Sequence, residues 1–406
     1  MTTSTTAPAT PDRQANWVQG TTLLVQQALP TMGPLLLVPV VPLIMAEYGS
    51  MPGAAYWVPS LLTVPALCMA LLSVFAGAIG DRIGRRWPLI IALALYGVGG
   101  MAPLVLESFT AIFIGRLLLG ICEAFIVTLS VTMLADYFSG RERDRWLALV
   151  TTVASGSAVL LLSLSGFLGS LFGWRAPTAV YGFALLLVPA MMAFTWEPKR
   201  ASSELIDTAG TPFPWKHVIG VGAMTLFGGT LFFVVAIQQT FGLIELGVQD
   251  PARIGLLTAL SGLGNPVGSL IFRRFVSVPK SLLLFIELLL MGGGLVGMGY
   301  ATNDISFSIA ACIGVVGAGM LMPTLMTWMI HGLPFAFRSR GVGIFQSLFS
   351  AGQFASGLVL PFLARNVVSG ILAAFALLGV IALAMAMIIF VRSRLRPASQ
   401  ASQAST

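Results

Sequence analysis

Between two long apolar stretches the chain reads Gly77-Ala78-Ile79-Gly80-Asp81-Arg82-Ile83-Gly84-Arg85-Arg86. Residues 48–80 before the charged part of this segment and residues 87–106 after it contain no charged side chain. An uncharged apolar run of about 20 residues is long enough to cross a bilayer as a helix. The segment is therefore predicted to be a short polar loop that joins two membrane-spanning helices.

The composition of the whole chain supports the same class of protein. Of its 406 residues 57% are hydrophobic and 9% are charged, whereas soluble domains contain about 25% charged residues. This excludes an ordinary soluble enzyme and a disordered chain. The net charge of +7 is not gathered on one basic face, so no nucleic-acid partner is expected. Cys68, Cys122 and Cys312 stand alone in apolar runs, which predicts no disulfide framework, no metal site and no cofactor.

Twelve segments are long and apolar enough to span a membrane, which predicts an all-α integral membrane protein. They are 17–46, 56–79, 87–106, 109–135, 146–171, 176–196, 217–243, 254–276, 281–301, 305–332, 341–363 and 367–391.

The basic residues predict the orientation of these spans. With both termini in the cytoplasm, 18 of the 22 Lys and Arg fall in cytoplasmic segments and three fall outside, as the positive-inside rule requires. Arg143-Asp144-Arg145 before the fifth span and Arg338-Ser339-Arg340 before the eleventh are offset by 195 residues. This repeat predicts two pseudo-symmetric six-helix bundles, a common transporter design.

The predicted domain organisation follows from the spans and the one long polar gap. It comprises a disordered cytoplasmic tail without a cleavable signal peptide at 1–16, a bundle at 17–197, a cytoplasmic loop at 198–216, a bundle at 217–392 and a tail at 393–406.

The loop after the second span resembles the signature of the major facilitator superfamily: Gly77, Asp81, Arg82, Gly84, Arg85 and Arg86 occupy all of its fixed positions. Gly115-Arg116 with Gly120 is similar to the family's fourth-helix motif. Ala135-Asp136-Tyr137-Phe138 followed by Arg143 and Arg145 is similar to the cytoplasmic exit of that helix. The resemblance covers residues 17–392 and implies secondary transport by alternating access in a monomer.

The fifth span departs from the pattern of drug exporters in this family. Those exporters carry a Gly-Pro pair about eleven residues before a Gly-Trp-Arg. Here Gly173-Trp174-Arg175 follows Leu161-Leu162, and only Gly166 and Gly169 remain of the glycine pattern. The direction of transport therefore stays open at this point.

The Asp81 loop has two interpretations. Asp81 among three arginines can pair with Arg or with a helix N-terminus and so latch the two bundles in one state, with Asp136, Arg143 and Arg145 as neighbours on the same face. Alternatively the loop is only an orientation signal, which needs the arginines but not Asp81 or the glycines.

Arg116 and Glu123 in the fourth span are the predicted proton-coupling residues. They lie two helical turns apart on one stripe, about 10.5 Å along the axis, so a direct pair is not expected. Ionisable groups inside a membrane are expensive unless they face a cavity or a partner. Glu123 is expected to carry the proton, and Arg116 to bind an anion or respond to Glu123; the resemblance assigns proton coupling to Arg116 only. The alternative is a structural polar contact between helices.

The resemblance implies that the first, fourth, seventh and tenth spans line the substrate cavity. The polar and aromatic residues that share one face of the first, seventh and tenth spans are the predicted cavity residues. They are Gln27, Thr31, Phe227, Gln238, Phe241, Thr324, Thr327 and Trp328. This aromatic, weakly charged surface suits an amphipathic organic molecule, although ordinary helix packing explains each residue equally well. Glu287 in the ninth span is expected to be a satisfied or snorkelling carboxylate.

Proton-driven export of a small amphipathic solute across the inner membrane is the favoured function. Uptake of an organic acid or sugar with protons is the alternative. A polytopic membrane enzyme would need clustered catalytic groups, but His217 and His331 have no such context. A channel or receptor would leave the Asp81 loop unexplained.

Overall fold

The computed structural model describes residues 15–198, 213–275, 278–334 and 337–395. Within these ranges the chain forms helices and connecting turns and no strand. Twelve helical segments are long and apolar enough to cross a membrane. They are α1 (Trp17–Tyr48), α2 (Ala54–Ile83), α3 (Arg86–Leu104), α4 (Phe109–Tyr137), α5 (Gly140–Phe172), α6 (Ala176–Phe194), α7 (Trp215–Ala236), α8 (Pro251–Phe275), α9 (Lys280–Gly299), α10 (Asp304–His331), α11 (Arg338–Asn366) and α12 (Ile371–Leu395).

The prediction of an all-α protein with twelve spans is confirmed, and the observed boundaries differ from the predicted ones by a few residues. The seventh predicted span ends earlier than expected, and a short helix, Gln239–Glu245, continues it. Most of the predicted tails and central loop, residues 1–14, 199–212 and 396–406, lie outside the described residues.

The outer surface of the helices is apolar. Large hydrophobic side chains such as Leu71, Val98, Leu160 and Ile219 are exposed along the spans. Contiguous apolar exposure on this scale is unfavourable in water and is expected where lipid tails are the solvent. The chain is therefore a multi-pass membrane protein.

Three clusters of buried side chains form the core. One cluster lies within residues 23–191 and a second within residues 218–386. The third combines Val40 and Leu62 from the first six spans with Ile237 and Ala259 from the last six. We call the end that carries Asp81 and Arg85 the basic end, and the other the opposite end. The mixed cluster lies toward the opposite end, so the two sets of six spans meet there.

Glycine residues allow the two sets of spans to pack closely at this end. A Cβ atom on Gly255 of α8 would lie 2.7 Å from the Leu162 carbonyl oxygen and 3.0 Å from the Gly166 Cα, both on α5. Across the molecule, Gly357 of α11 packs against Thr63 of α2. The Asn366 side chain donates to the Tyr56 hydroxyl at 3.0 Å. The glycines that remain of the pattern in the fifth span thus allow backbone contact with α8.

Candidate transport site

Arg85 is the centre of the loop at the basic end. Its guanidinium donates to Asp81 at 2.9 Å and forms a second ion pair with Asp136 at the end of α4. Glu197, just after α6, accepts from the Arg85 backbone N–H at 2.7 Å and from the Arg86 N–H at 3.0 Å. Because these N–H groups start α3, the carboxylate also interacts favourably with the helix dipole.

The remaining predicted loop residues lie around this centre. Gly77 lies beside Thr128 of α4, and Arg86 donates to the Met192 carbonyl at 2.8 Å. Arg82, Arg143 and Arg145 are exposed. In the described part of the chain, the hydrogen bonds and ion pairs of Asp81 and Arg85 all stay within the first six spans. The structure therefore gathers Asp81, Asp136 and Glu197 around Arg85 at the basic end.

Gly84 is required in this loop for two reasons. Its φ of +96° favours glycine, and a Cβ atom there would lie 3.0 Å from the Glu197 carboxyl group. We expect Gly84→Ala to lower the apparent melting temperature of the purified protein more than Gly173→Ala. Gly173 has nearly the same backbone conformation (φ +85°, ψ 171°, against φ +96°, ψ 159° at Gly84) but open space around it, so both variants incur about 1–3 kcal/mol of backbone strain and only Gly84→Ala displaces Glu197. Equal shifts in a thermal unfolding assay would contradict this role of Glu197.

The first span is not a continuous α-helix. It changes to a 3-10 turn at Gln26–Ala28 and again at Val38–Val40, with Pro30 and Pro34 between the two. Proline lacks an N–H and clashes with the preceding turn, which breaks a helix. The Leu37 N–H donates to the Pro34 carbonyl at 3.1 Å. The Gly33 carbonyl, which a regular helix would pair with Leu37, is thereby released for side chains of other helices.

Arg116 of α4 takes up this released carbonyl. Its Nη1 donates to the Gly33 oxygen at 2.8 Å and to the Tyr181 hydroxyl at 2.7 Å, while the Tyr181 hydroxyl contacts the Met32 carbonyl at 3.0 Å. The side chain is only 1% exposed. Its Nη2 has no hydrogen-bond partner among the described residues. Arg116 is thus tied to the broken part of α1 through one of its two terminal nitrogens.

Glu123 lies in the same buried cluster. It is 1% exposed, its Oε1 contacts Gly33 at the position where a Cβ would be, and that oxygen has no donor among the described residues. The neighbouring Tyr96 hydroxyl donates to the Leu29 carbonyl at 2.5 Å. No ion pair within 4.0 Å joins Glu123 to Arg116 in the described part of the chain. An acid and a base, each with an unused hydrogen-bonding atom, therefore flank the break in α1.

Tyr96 and Tyr181 were not singled out from the sequence. Their rings meet edge to face at a centroid distance of 5.4 Å, and both are fully buried. Their position inside apolar spans could have indicated a role, because a buried tyrosine hydroxyl usually requires a hydrogen-bond partner.

The predicted cavity residues fall into two groups. In the first six spans, Gln27 donates to the Ser130 hydroxyl at 2.6 Å, and the Thr31 hydroxyl lies 3.2 Å from that of Ser157. These contacts connect α1 to α4 and α5. Both predicted residues therefore hold the part of α1 that precedes Gly33 against its neighbouring helices.

The other group belongs to the last six spans and the short helix that continues α7. Gln238 is buried and donates to Ser356 at 3.4 Å, whereas Phe227, Thr327 and Trp328 are half-buried. Phe241 lines a mostly apolar cavity of about 410 Å³ at the opposite end. Thr324 points away from the other predicted residues, because its hydroxyl donates to Glu287 of α9 at 2.5 Å.

A comparison with protein families identifies this architecture. The family model described as Major Facilitator Superfamily matches residues 27–356. The chain belongs to the major facilitator superfamily. Its match begins at the buried Gln27 and extends over the Asp81 loop, the α4 cluster and most of α11. This confirms the resemblance noted in the sequence.

Curated members of the superfamily are distant relatives of this chain. Multidrug efflux protein YfmO of Bacillus subtilis (strain 168) is 25% identical over 347 residues, which cover 82% of each chain. The vesicular acetylcholine transporter of Torpedo marmorata is 23% identical and covers 72% of this chain and 66% of its own.

Solved structures of the superfamily have the same fold. A D-xylose-proton symporter gives a TM-score of 0.76 at 16% identity and covers 92% of this chain and 97% of its own. A bacterial homologue of the lysosomal transporter Spinster, in an inward-facing conformation, gives 0.69 at 16% identity and covers 93% and 96%. At this identity the likeness is one of fold. The family model and the curated relatives show that the chain is a transporter of the superfamily.

Proposed function

We propose that this transporter is driven by protons and exports small amphipathic organic molecules across the inner membrane. The observation that carries the proposal is the buried Glu123 carboxyl group, which has an unpartnered oxygen beside the break in α1. An ionised carboxylate without a partner costs several kcal/mol inside a membrane. Protonation removes that cost. The change of Glu123 between its neutral and its ionised form is therefore the switch in this mechanism.

Arg116 supplies the second state of this switch. In the structure its Nη1 holds the Gly33 carbonyl, and Glu123 packs against the same glycine. When Glu123 ionises, the unpartnered Nη2 of Arg116 is a charged donor in this cluster that has no other hydrogen bond to break. Movement of Arg116 toward Glu123 releases Gly33 and thereby shifts the broken part of α1. Proton binding is in this way coupled to a helix that we infer lines the substrate passage.

The two bundles at 17–197 and 217–392 are the moving bodies in this proposal. In the described residues, the close contacts between them lie at the opposite end, at α5 with α8 and at α2 with α11. A substrate would therefore enter from the basic end in this conformation. The positive-inside rule predicts that this end and both termini are cytoplasmic, which supports loading from the cell interior.

Export is favoured over uptake by the apolar character of the predicted passage and by the name of the multidrug efflux relative. The alternative, uptake of an organic acid or sugar, would use Arg116 as an anion site. One of the two terminal nitrogens of that guanidinium already donates to Gly33 and Tyr181, which leaves only the other for an anion.

A dye assay in cells tests the direction of transport. Bacteria that lack their main efflux pumps, with and without this chain, are loaded with lipophilic fluorescent dyes in the presence or absence of a protonophore. We expect cells that express the chain to hold less dye, and the difference to disappear when the protonophore collapses the gradient. Unchanged accumulation of every dye, together with proton-dependent uptake of small carboxylates or sugars, would replace export by the alternative.

A further inference from the structure

A second buried carboxyl group lies in the last six spans. Glu287, in the middle part of α9, is 0% exposed. Its Oε1 accepts from the Thr324 hydroxyl of α10 at 2.5 Å, and its Oε2 is buried without a donor among the described residues. The sequence favoured a satisfied or snorkelling carboxylate here. The structure instead leaves half of the group unsatisfied.

The surroundings of Glu287 are tightly packed. A Cβ atom on Gly317 of α10 would lie 2.7 Å from the Glu287 carbonyl oxygen, and one on Gly292 of α9 would lie 2.9 Å from the Gly379 carbonyl of α12. The α9 backbone is thus in contact with both neighbouring helices near this residue.

No cation compensates Glu287 in the described part of the chain. The helices packed against α9 are α10, α12 and α7, and their charged or ionisable residues at or near the helix ends are Lys216, His217, Asp304, His331, Arg392 and Arg394. The remaining titratable group on these helices is the Cys312 thiol of α10, twelve residues before Thr324 and about 18 Å from it along the axis. On α9 itself, Lys280 is seven residues away, about 10.5 Å along the axis. None of these groups forms an ion pair with Glu287.

We propose that Glu287 carries a second transported proton, held in this conformation as a neutral carboxylic acid that accepts the Thr324 hydrogen bond. The single hydrogen of the Thr324 hydroxyl has two acceptors in range, Glu287 Oε1 at 2.5 Å and the Met320 carbonyl at 3.1 Å. We assign it to the shorter contact, which places the proton of the carboxyl group on Oε2. This role rests on the proposed function, because α10 is one of the helices expected to face the passage. A shift of α10 against α9 removes the Thr324 bond and opens the carboxyl group to water. The O–H bond at Oε2 then breaks, the proton passes to water, and the carboxylate remains until it is protonated again.

Infrared spectroscopy of the purified full-length protein in lipid tests this assignment. The probe is the C=O stretching band of protonated carboxyl groups, followed while pH is raised and after exchange into D₂O. We expect one band that weakens with rising pH and shifts in D₂O to be lost in Glu287→Gln. Thr324→Val should move this band to higher frequency by removing the hydrogen bond, and Thr324→Ser should leave it in place. The two threonine variants retain Glu287 and so remain informative if Glu287→Gln folds poorly.

Two results would overturn the proposal. The first is an unchanged set of bands in Glu287→Gln and Thr324→Val, which would mean that Glu287 is ionised. The second is a Glu287 band that changes neither with pH nor after exchange into D₂O. This would mean that Glu287 is a buried structural acid whose proton does not exchange with solvent. Gradient-driven dye efflux in the wild type is a separate readout. Its absence would reject the proposed function while the Glu287 band still reports the protonation of this residue.

Discussion

Cells that express the Glu123→Gln variant are expected to accumulate lipophilic dye as if they had no transporter. Glutamine has nearly the shape of glutamic acid but cannot release a proton, so the switch beside Gly33 stays in its neutral state. The initial rate of gradient-driven efflux should fall by about tenfold or more, the change produced by a loss of roughly 1.4 kcal/mol. The measurement is dye efflux after re-energising loaded cells, normalised to the amount of protein in the membrane.

Glu142→Gln is the matched control for this prediction. Glu142 is an exposed acid at the start of α5, and the same change there removes the same charge from the chain. We expect its efflux to equal that of the wild type. Full activity of Glu123→Gln, or an equal loss in both variants, would contradict a specific role for Glu123 in coupling.

Replacing Gly255 by valine is expected to prevent closure of the opposite end. Its side chain would have to occupy the place of the Leu162 carbonyl and the Gly166 backbone, which lie 2.7 Å and 3.0 Å from the Cβ position. Backbone atoms cannot move aside as a flexible side chain does, so the two sets of spans must separate at α5 and α8. We expect transport to be lost and the population to shift toward a conformation that is open at this end.

Thiol labelling measures that shift. A cysteine is placed at Val58, which is 0% exposed in the mixed cluster, in a chain whose three native cysteines have been replaced. In the Gly255→Val background it should react with a membrane-impermeant reagent roughly tenfold faster, as expected when the open state gains about 1.4 kcal/mol. Gly262→Val on the same helix is the control, because Gly262 has open space around it. Equal labelling in the two backgrounds would show that the contact at Gly255 does not hold the end closed.

The sequence was sufficient for the spans because hydropathy depends on local composition. Twelve apolar runs, separated by charges, become twelve helices in the described residues. The break in α1 also has a local cause in Pro30 and Pro34, although the stretch 17–46 was predicted as one span. Asp81 and Arg85 are four residues apart, but α2 ends at Ile83 and Gly84 has a φ of +96°, so their ion pair forms across the loop and does not follow from helical spacing.

The partners that these side chains contact on other helices could not be predicted from the sequence in the same way. Glu197 lies 112 residues from Arg85, at the edge of a polar gap that predicted only a loop. Thr324 shares a stripe with Thr327 and Trp328, yet it turns toward Glu287. A stripe gives the relative direction of side chains and leaves open which neighbouring helix each one meets. The Gly33 carbonyl is a backbone group, so a pattern of side chains in the sequence cannot identify it as a hydrogen-bond acceptor for Arg116.

Transport by the purified protein in liposomes tests most directly whether proton binding at Glu123 drives the transporter. A pH gradient is imposed with the membrane potential clamped, and both dye movement and dye exchange at equal pH on the two sides are followed. We expect the wild type to concentrate dye against its gradient only while the pH gradient lasts, and Glu123→Gln to exchange dye but never to concentrate it. Concentration of dye by Glu123→Gln under the pH gradient, at the wild-type rate, would contradict this role of Glu123.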